Sequence, residues 1–325
     1  MFRSLFQQAG PSGPGRRRAI DPGLKARLVQ ISLFLSLTYL CSVAHADFPT
    51  THPYQPIEFH HELRVNPIES IYIVTIDLTD PRVSIRLSPA GADPDGPGPW
   101  ETTLMPVNDI AAREHFDIAI NASFFSINRS NIAEEKAETS GKPATSLPAH
   151  QIGYVAGAWA KNVGSTMTDG KLWPSPSNGW PILCINADRA ATICDSTATP
   201  SNARQIVAGN CYILKDGQSA GHFTGPMQVR HPRTVVGLNR DATKLIILTV
   251  DGRHSLTAWG MTGQELADEM QKQNCWTAIN LDGGGSTTLI MRDPQSNELK
   301  LLNKPSDNRE RPVSDAIGIR IKDVK

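Results

Sequence analysis

The sequence has no charge of one sign in excess: 32 Lys and Arg balance 32 Asp and Glu among 325 residues. A chain without a basic surplus is not built around phosphate-backbone binding, so no nucleic-acid partner is expected. Cysteine is scarce, at five residues, and no Cys-x-x-Cys or His/Cys cluster with zinc spacing occurs. The glycine-rich dinucleotide fingerprint is missing. The one tri-glycine turn has no lysine before its serine, which excludes a nucleoside-triphosphate loop. No Gly-x-Ser-x-Gly elbow is present. No repeat at a solenoid period appears, and no linker divides the chain. One domain of ordinary globular composition remains, with 39% hydrophobic and 20% charged residues.

The charge balance is uneven along the chain. Residues 1–46 hold Arg3, Arg16, Arg17, Arg18, Lys25 and Arg27 against the single acid Asp21, so the remainder is acidic in balance. A basic flank, the apolar run 28–43 and the small-x-small pattern Ala44-His45-Ala46 have the anatomy of a secretory signal peptide. The run is shorter than the ~20 residues of a membrane span, so no stable membrane insertion is expected after cleavage near Ala46. The expectation is a protein exported to the periplasm or beyond. Its parts are a signal peptide at 1–46, a loose Pro- and His-rich arm at 47–69 and a catalytic domain at 70–325. Removing Cys41 leaves Cys184, Cys194, Cys211 and Cys275, an even count that favours disulfides in an exported chain. Cys184 and Cys194 flank a hairpin, which favours pairing them and, by elimination, Cys211 with Cys275; four buried free thiols are the alternative.

The mature chain reads as short strands separated by Gly, Pro and Asp-Gly turns. Strands are expected at 71–77, 83–87, 118–120, 153–158, 168–172, 182–193, 208–214, 234–239, 244–250, 276–281 and 316–321. A short helix near 107–114 takes Asn108 as its cap. Thr262 and Glu265 form a capping box for a helix at 262–274. The order 244–250, helix, 276–281 is a crossover that suits a parallel pair. The fold class is α+β: a single strand-rich domain with a mixed β-sheet and few helices. Residues 126–150 lack periodicity and read as a long surface loop.

Chemistry gathers at strand ends. Asp251 ends the apolar run KLIILTV, and Asp282 ends WTAINL. If their strands are neighbours, both carboxylates stand at one sheet edge, which suits a paired acid and base or nucleophile. Gly283, Gly284, Gly285 and Ser286 follow Asp282, where bare amides can cradle an anion. Taken alone, Asp-Gly-Gly-Gly-Ser is equally a hairpin turn with a solvated acid. Asn280 lies on the strand face of Asp282. Arg233 follows a proline-stiffened approach, and its guanidinium suits bidentate phosphate binding; a structural role is the alternative. Arg253, Thr234 and Asn121 complete the substrate-binding candidates. His231 and His254 are candidate proton carriers.

These segments together resemble the phosphodiester glycosidases related to the lysosomal "uncovering enzyme". The resemblance rests on Asn121-x-x-Phe124-Phe125, His231-Pro232-Arg233-Thr234-x-x-Gly237, Asp251-Gly252-Arg253, Gly263-x-Glu265-Leu266-Ala267, residues 278–286 and Arg311-Pro312-Val313. Order and spacing agree from about residue 70 onward. The family usually carries two glycines after the asparagine, where this chain has Ala122-Ser123. The resemblance implies hydrolysis of a sugar-1-phosphodiester on the sugar side, releasing an N-acetylglucosamine-like sugar and a phosphomonoester. The partner is then a sugar phosphodiester or phosphate-containing glycan. No organic cofactor is expected. The resemblance leaves room for a calcium ion, although no dedicated loop for one is present. The rival class is a non-catalytic glycan-binding or exopolysaccharide-processing accessory protein, for which an intact pair of acids has no use.

Overall fold

In the computed structural model the described residues are 45–91, 101–127, 154–174 and 177–322; the expected signal peptide lies outside them except for His45 and Ala46, as does most of the expected long loop. The fold is organised by the strand Lys244–Val250. Its side chains partition by period two. Leu245 and Ile247 enter one core with Ile118, Ile120, Leu183, Val207 and Ile317. Ile246, Leu248 and Val250 enter a second core with Leu266, Ala267 and Met270. Both faces are covered, which is why the segment is apolar throughout rather than alternating.

The nine-stranded sheet places Ile57–Val65, Ile68–Asp77, Lys244–Val250, Arg233–Asn239, Cys275–Asn280 and Cys211–Lys215 side by side in that order. Two five-stranded sheets and a three-stranded sheet complete the β structure. The segments Pro181–Asn186 and Ala203–Ala208 belong to one five-stranded sheet, and Leu289–Arg292, Ile118–Asn121 and Ala316–Ile321 to the other. The helix Gly263–Lys272 covers the outer face of the large sheet and starts at the expected Thr262–Glu265 capping box. Each of its buried Leu266 and Met270 side chains contributes on the order of 1.5–3 kcal/mol by leaving water.

Several expectations change. Lys244–Val250 and Cys275–Asn280 run parallel but are not neighbours. Arg233–Asn239 lies between them, antiparallel to both, with Arg233 opposite Val250 and Val235 opposite Asn280. A crossover helix needs only to return the chain to the starting edge, and an earlier strand had taken the adjacent place. The segment expected to be a loose arm includes a strand instead: Ile57–Val65 pairs with Ile68–Asp77 through nine residue pairs. Pro56 and Pro67 sit at the turns that flank this strand, and Pro53 lies in the short edge strand Thr51–Tyr54 where its pairing with Ile57–Val65 is irregular, so none of the three removes a regular ladder donor. The short helix Val107–Arg113 has no cap from Asn108. The Glu310 carboxylate, 2.7 Å from the Asn108 N–H, fills that role.

The cysteines divide. Cys184 and Cys194 are free thiols on adjacent strands, Cys184 facing Thr192 and Cys194 facing Ile182, and the Cys194 thiol donates to Ala198 O at 3.5 Å. Cys211 cannot reach Cys275. Cys211 stands opposite Asn280, five residues further along the strand that Cys275 begins. At ~3.3 Å per residue that offset far exceeds the ~7 Å limit on disulfide Cα atoms.

Candidate active site

Asp282 leaves the sheet edge immediately after Leu281. Its backbone is fixed on both sides: its N–H donates to Ala122 O at 3.1 Å, and its carbonyl accepts from Asn121 Nδ2 at 2.7 Å. Asp282 as a residue is partly exposed. It accepts from its neighbour's Gly283 N–H at 2.9 Å. Burial pushes its pKa up to about 6, the Asp315 carboxylate adds to the rise, and Ser286, Gly283 N–H and Arg311 oppose it. The Ser286 hydroxyl faces the carboxylate without a well-formed hydrogen bond.

The glycines serve a different purpose from the expected anion cradle. Gly283 N–H is used by Asp282, Gly284 N–H by Pro232 O at 2.9 Å, and Ser286 N–H by Gly283 O at 3.2 Å. Only the Gly285 amide is left for a ligand. What the glycines permit is close approach by two arginines. Gly284 has φ +62°, and a Cβ there would lie 3.0 Å from Arg253 Nη2. A Cβ on Gly285 would collide with the Arg311 guanidinium. Arg311 is anchored by Asp307, with Nε 2.9 Å from Oδ2, and stacks 4.1 Å over the Tyr154 ring. Arg253 is exposed and has no carboxylate partner among the described residues. Two guanidiniums therefore flank the turn beside one partly exposed aspartate.

Arg233, expected to grip phosphate, does not reach this place. Its register partner Val250 faces the helix-covered core. The buried guanidinium donates to Met261 O at 3.0 Å, Pro226 O at 2.7 Å and Val229 O at 2.8 Å. Desolvation draws its pKa down to about 10. It is a cross-brace for two loops. Asn280 also turns away from Asp282, its amide donating to Asn210 Oδ1 at 2.9 Å.

Asn121 and Thr234 lie under the site. Asn121 Oδ1 accepts from the Thr234 hydroxyl at 2.7 Å and from Thr288 N–H at 3.1 Å, so the amide ties three segments to the Asp282 turn. The Ala122-Ser123 departure is accommodated, because neither residue has positive φ. Ser123 also holds the fully buried Asp315, through its N–H at 2.8 Å and its hydroxyl at 2.7 Å. Asp251 is buried on the same sheet edge but is saturated. It accepts from Asn303 Nδ2 at 3.1 Å, Lys304 N–H at 2.9 Å and the Tyr72 hydroxyl at 3.3 Å. Asn303 in turn holds Thr287 O and Leu289 N–H. Asp251 thus braces the strand that follows the glycine turn, and burial lifts its pKa to about 6.

Buried polar atoms without a partner gather at this edge: His231 Nδ1, Thr249 Oγ1, His254 Nε2, Asn280 Oδ1 and Thr287 Oγ1. Orphaned groups of this kind mark places where water or a ligand completes the bonding. Burial, with the nearby Arg253 and Arg233, draws the His231 pKa below its ordinary value. Among the described residues no cluster of three His, Cys, Asp or Glu side chains is placed to hold a metal ion, so the possible calcium ion gains no ligand set there. Sequence reasoning underrated Arg311 and did not single out Asp315, Asn303 or Tyr72. Of these only Arg311 left a signal, the Arg-Pro-Val triplet.

Comparison with known proteins identifies the family. The family description "Phosphodiester glycosidase" matches residues 115–320, over half of the chain. The mouse N-acetylglucosamine-1-phosphodiester alpha-N-acetylglucosaminidase is 26% identical over 196 residues, covering 53% of this chain and 35% of its own length. YomE, an uncharacterized SPbeta prophage-derived protein of Bacillus subtilis, is 36% identical over 124 residues, covering 37% of this chain and 18% of its own. The chain thus spans about a third or less of these curated relatives. The auto-inhibited catalytic domain of the zebrafish N-acetylglucosamine-1-phosphodiester alpha-N-acetylglucosaminidase superposes with a TM-score of 0.57 at 19% identity, covering 88% of this chain and 91% of its own, a likeness of fold. Motif order, fold and matched domain together place this chain in the phosphodiester glycosidase family.

Proposed function

We propose that the protein is an exported hydrolase that cleaves a sugar-1-phosphodiester between C1 and the bridging oxygen. The observation that carries this reading is Asp282, partly exposed, set beside two guanidiniums, one of which has no carboxylate partner among the described residues. Arg253 and Arg311 take the non-bridging phosphate oxygens, with the Gly285 amide as a further donor. Asp282 faces C1. Water adds to C1, the C1–O bond breaks, and its electron pair leaves with the phosphomonoester. A proton of the water passes to Asp282 or to solvent. A phosphomonoester has a second pKa near ~6 and leaves as an anion without a proton donor. That is why one carboxylate suffices where ordinary glycosidases use two. Asp282 stabilises the developing oxocarbenium charge in its ionised form. The sugar is N-acetylglucosamine-like by analogy with the named activity of the mouse relative. The basic flank, apolar run and small-x-small pattern within residues 1–46 support export.

The test is hydrolysis of an N-acetylglucosamine-1-phosphate diester in heavy-oxygen water. Label in the free sugar and none in the phosphate supports the reading. Label in the phosphate means cleavage on the other side and rules it out. An Asp282→Asn variant that folds normally yet keeps the parent rate removes Asp282 from the chemistry.

A further inference from the structure

The two arginines at the glycine turn are not equivalent in charge. Arg311 is matched by an acid: its Nε lies 2.9 Å and its Nη2 2.8 Å from one oxygen, Asp307 Oδ2. Arg253 has no carboxylate partner among the described residues. Both guanidiniums nevertheless meet the turn. A Cβ on Gly284 would lie 3.0 Å from Arg253 Nη2, and one on Gly285 would overlap Arg311 Nη2. The Arg311–Asp307 pair is also held in place. The Tyr154 ring covers the Arg311 guanidinium at 4.1 Å, and Phe125 meets Tyr154 edge-on with ring centres 5.7 Å apart. The neighbouring Arg309 is exposed and donates to Tyr154 O at 3.5 Å. Asp307 therefore stands directly behind one of the two cations that meet the turn.

The consequence is a matter of charge. At pH 7.5 the cations Arg253 and Arg311 are offset by Asp307 and by Asp282, which is ionised above about 6. The other titratable groups around the turn do not restore a positive balance. His231 is drawn below its ordinary pKa and adds no cation at this pH. Arg233 and Asp251, opposite in sign, are each bonded into the framework. Asp315 is buried beneath Ser123, and any ionisation of it adds negative charge. A phosphodiester carries one negative charge. A phosphomonoester, with a second pKa near ~6, carries close to two at pH 7.5. Coulomb energy scales with the ligand's charge, so a fixed anion disfavours the monoester twice as strongly as the diester. Asp307 is such an anion, and it touches a phosphate-binding guanidinium without being the reacting carboxylate.

We infer that Asp307 is a specificity-determining residue: by offsetting the charge of Arg311 it biases the site toward a singly charged phosphodiester and against a doubly charged phosphomonoester, so that the phosphomonoester product is released. This rests on the hydrolase reading above and names the charge state its site accepts. The test uses two ligands of like shape at pH 7.5 and low salt. One is N-acetylglucosamine-1-phosphate, doubly charged. The other is the methyl ester of the C-linked phosphonate of N-acetylglucosamine, singly charged and with no C1–O bond to break. Calorimetry gives both dissociation constants for the parent and for Asp307→Asn, in which asparagine keeps an acceptor oxygen for Arg311 and drops the charge. The parent should hold the singly charged ligand at least as tightly as the doubly charged one. A partly screened charge this close shifts binding about fivefold per unit of ligand charge. The variant should therefore bind the phosphonate ester about fivefold and the monoester about 25-fold more tightly, a change of about fivefold in their ratio that shrinks as salt is added. A ratio that moves by less than about twofold overturns the inference. So do equal losses on both ligands, which would make Asp307 only an anchor for Arg311, a parent that holds the monoester more tightly, or a parent that binds neither ligand. Cleavage of the methyl diester of N-acetylglucosamine-1-phosphate by the parent is scored separately. Its absence sinks the hydrolase reading, while the ratio decides the role of Asp307 without turnover.

Discussion

Asp251→Asn separates a catalytic acid from a brace. The Asp251 carboxylate has its pKa lifted by burial to about 6, from an ordinary 3.8, even though three donors point at it. That gap corresponds to ~3 kcal/mol between its charged and neutral forms. A raised acid favours the folded state when protonated. Its contribution is fully present below pH ~4, falls as pH rises between ~4 and ~6, and stays lost above. Asparagine resembles the protonated acid and never ionises. Its Oδ1 can keep the Asn303 and Lys304 donors, and its Nδ2 can donate to the Tyr72 oxygen, which accepts as readily as it donates. The variant should therefore be more stable than the parent at pH 7.5, by up to ~3 kcal/mol, and indistinguishable from it near pH 4. Urea unfolding at the two pH values measures this directly. Hydrolysis should stay within a few-fold of the parent, because Asp251 is turned into the framework. A variant less stable than the parent at pH 7.5 refutes the electrostatic reasoning. A variant stabilised as worked here but at least about a thousandfold slower would put Asp251 back into the chemistry.

Two further outcomes follow from the same geometry. Because Asp282 acts ionised and burial holds its pKa near about 6, kcat/KM should fall as pH drops through about 6. Arg311→Gln should move that fall to higher pH, since it removes a cation that favours the carboxylate; a pH–rate profile with no acid limb in this range counts against Asp282. The two other arginines should behave oppositely. Arg253→Gln, at an exposed position, should cost ~10–100-fold in kcat/KM with stability within ~0.5 kcal/mol of the parent. Arg233→Gln should strip donors from Pro226, Val229 and Met261 carbonyls and cost at least ~2 kcal/mol of stability, with near-parent kinetics in the protein that remains folded. Urea titrations alongside kinetics on both variants decide this, and a stable but inactive Arg233→Gln returns that residue to the site.

Strand-forming segments and the strand-end acids were legible because local pattern dictates them: period two, Asp-Gly turns and the Thr262–Glu265 box are short-range signals. The interposition of Arg233–Asn239 between the two acid-bearing strands was not, because pairing order depends on which surfaces are buried together across long sequence separations. The arginine error has the same origin. Sequence places Arg233 at a strand end but cannot say which face it occupies, and a one-residue change of face sends a side chain to the opposite core. Arg253 and Arg311 lie 58 positions apart in the numbering. Only the folded chain shows that they meet at Gly284 and Gly285.

The buried polar residues explain why so much of the motif series never touches a ligand. On the proposed reading Asp282 needs a fixed direction more than it needs partners, since one carboxylate serves at C1. Its carbonyl is held by Asn121, its N–H by Ala122 and its own side chain by Gly283 N–H. Asn121 is held by Thr234 and Thr288, and the Ala122-Ser123 turn by Asp315. Asp251 fixes Asn303, which fixes the strand leaving the glycine turn. Each of these groups is buried and bonded, so each would leave an unpaired partner if truncated, at ~1–3 kcal/mol apiece. Positioning of this kind is set before substrate arrives, and a displacement of a catalytic group by ~1 Å is enough to cost on the order of a hundredfold in rate. On the proposed reading Asn121, Thr234 and Asp251 therefore act through the position of Asp282, and their spacing in the sequence records that scaffold as much as the site itself.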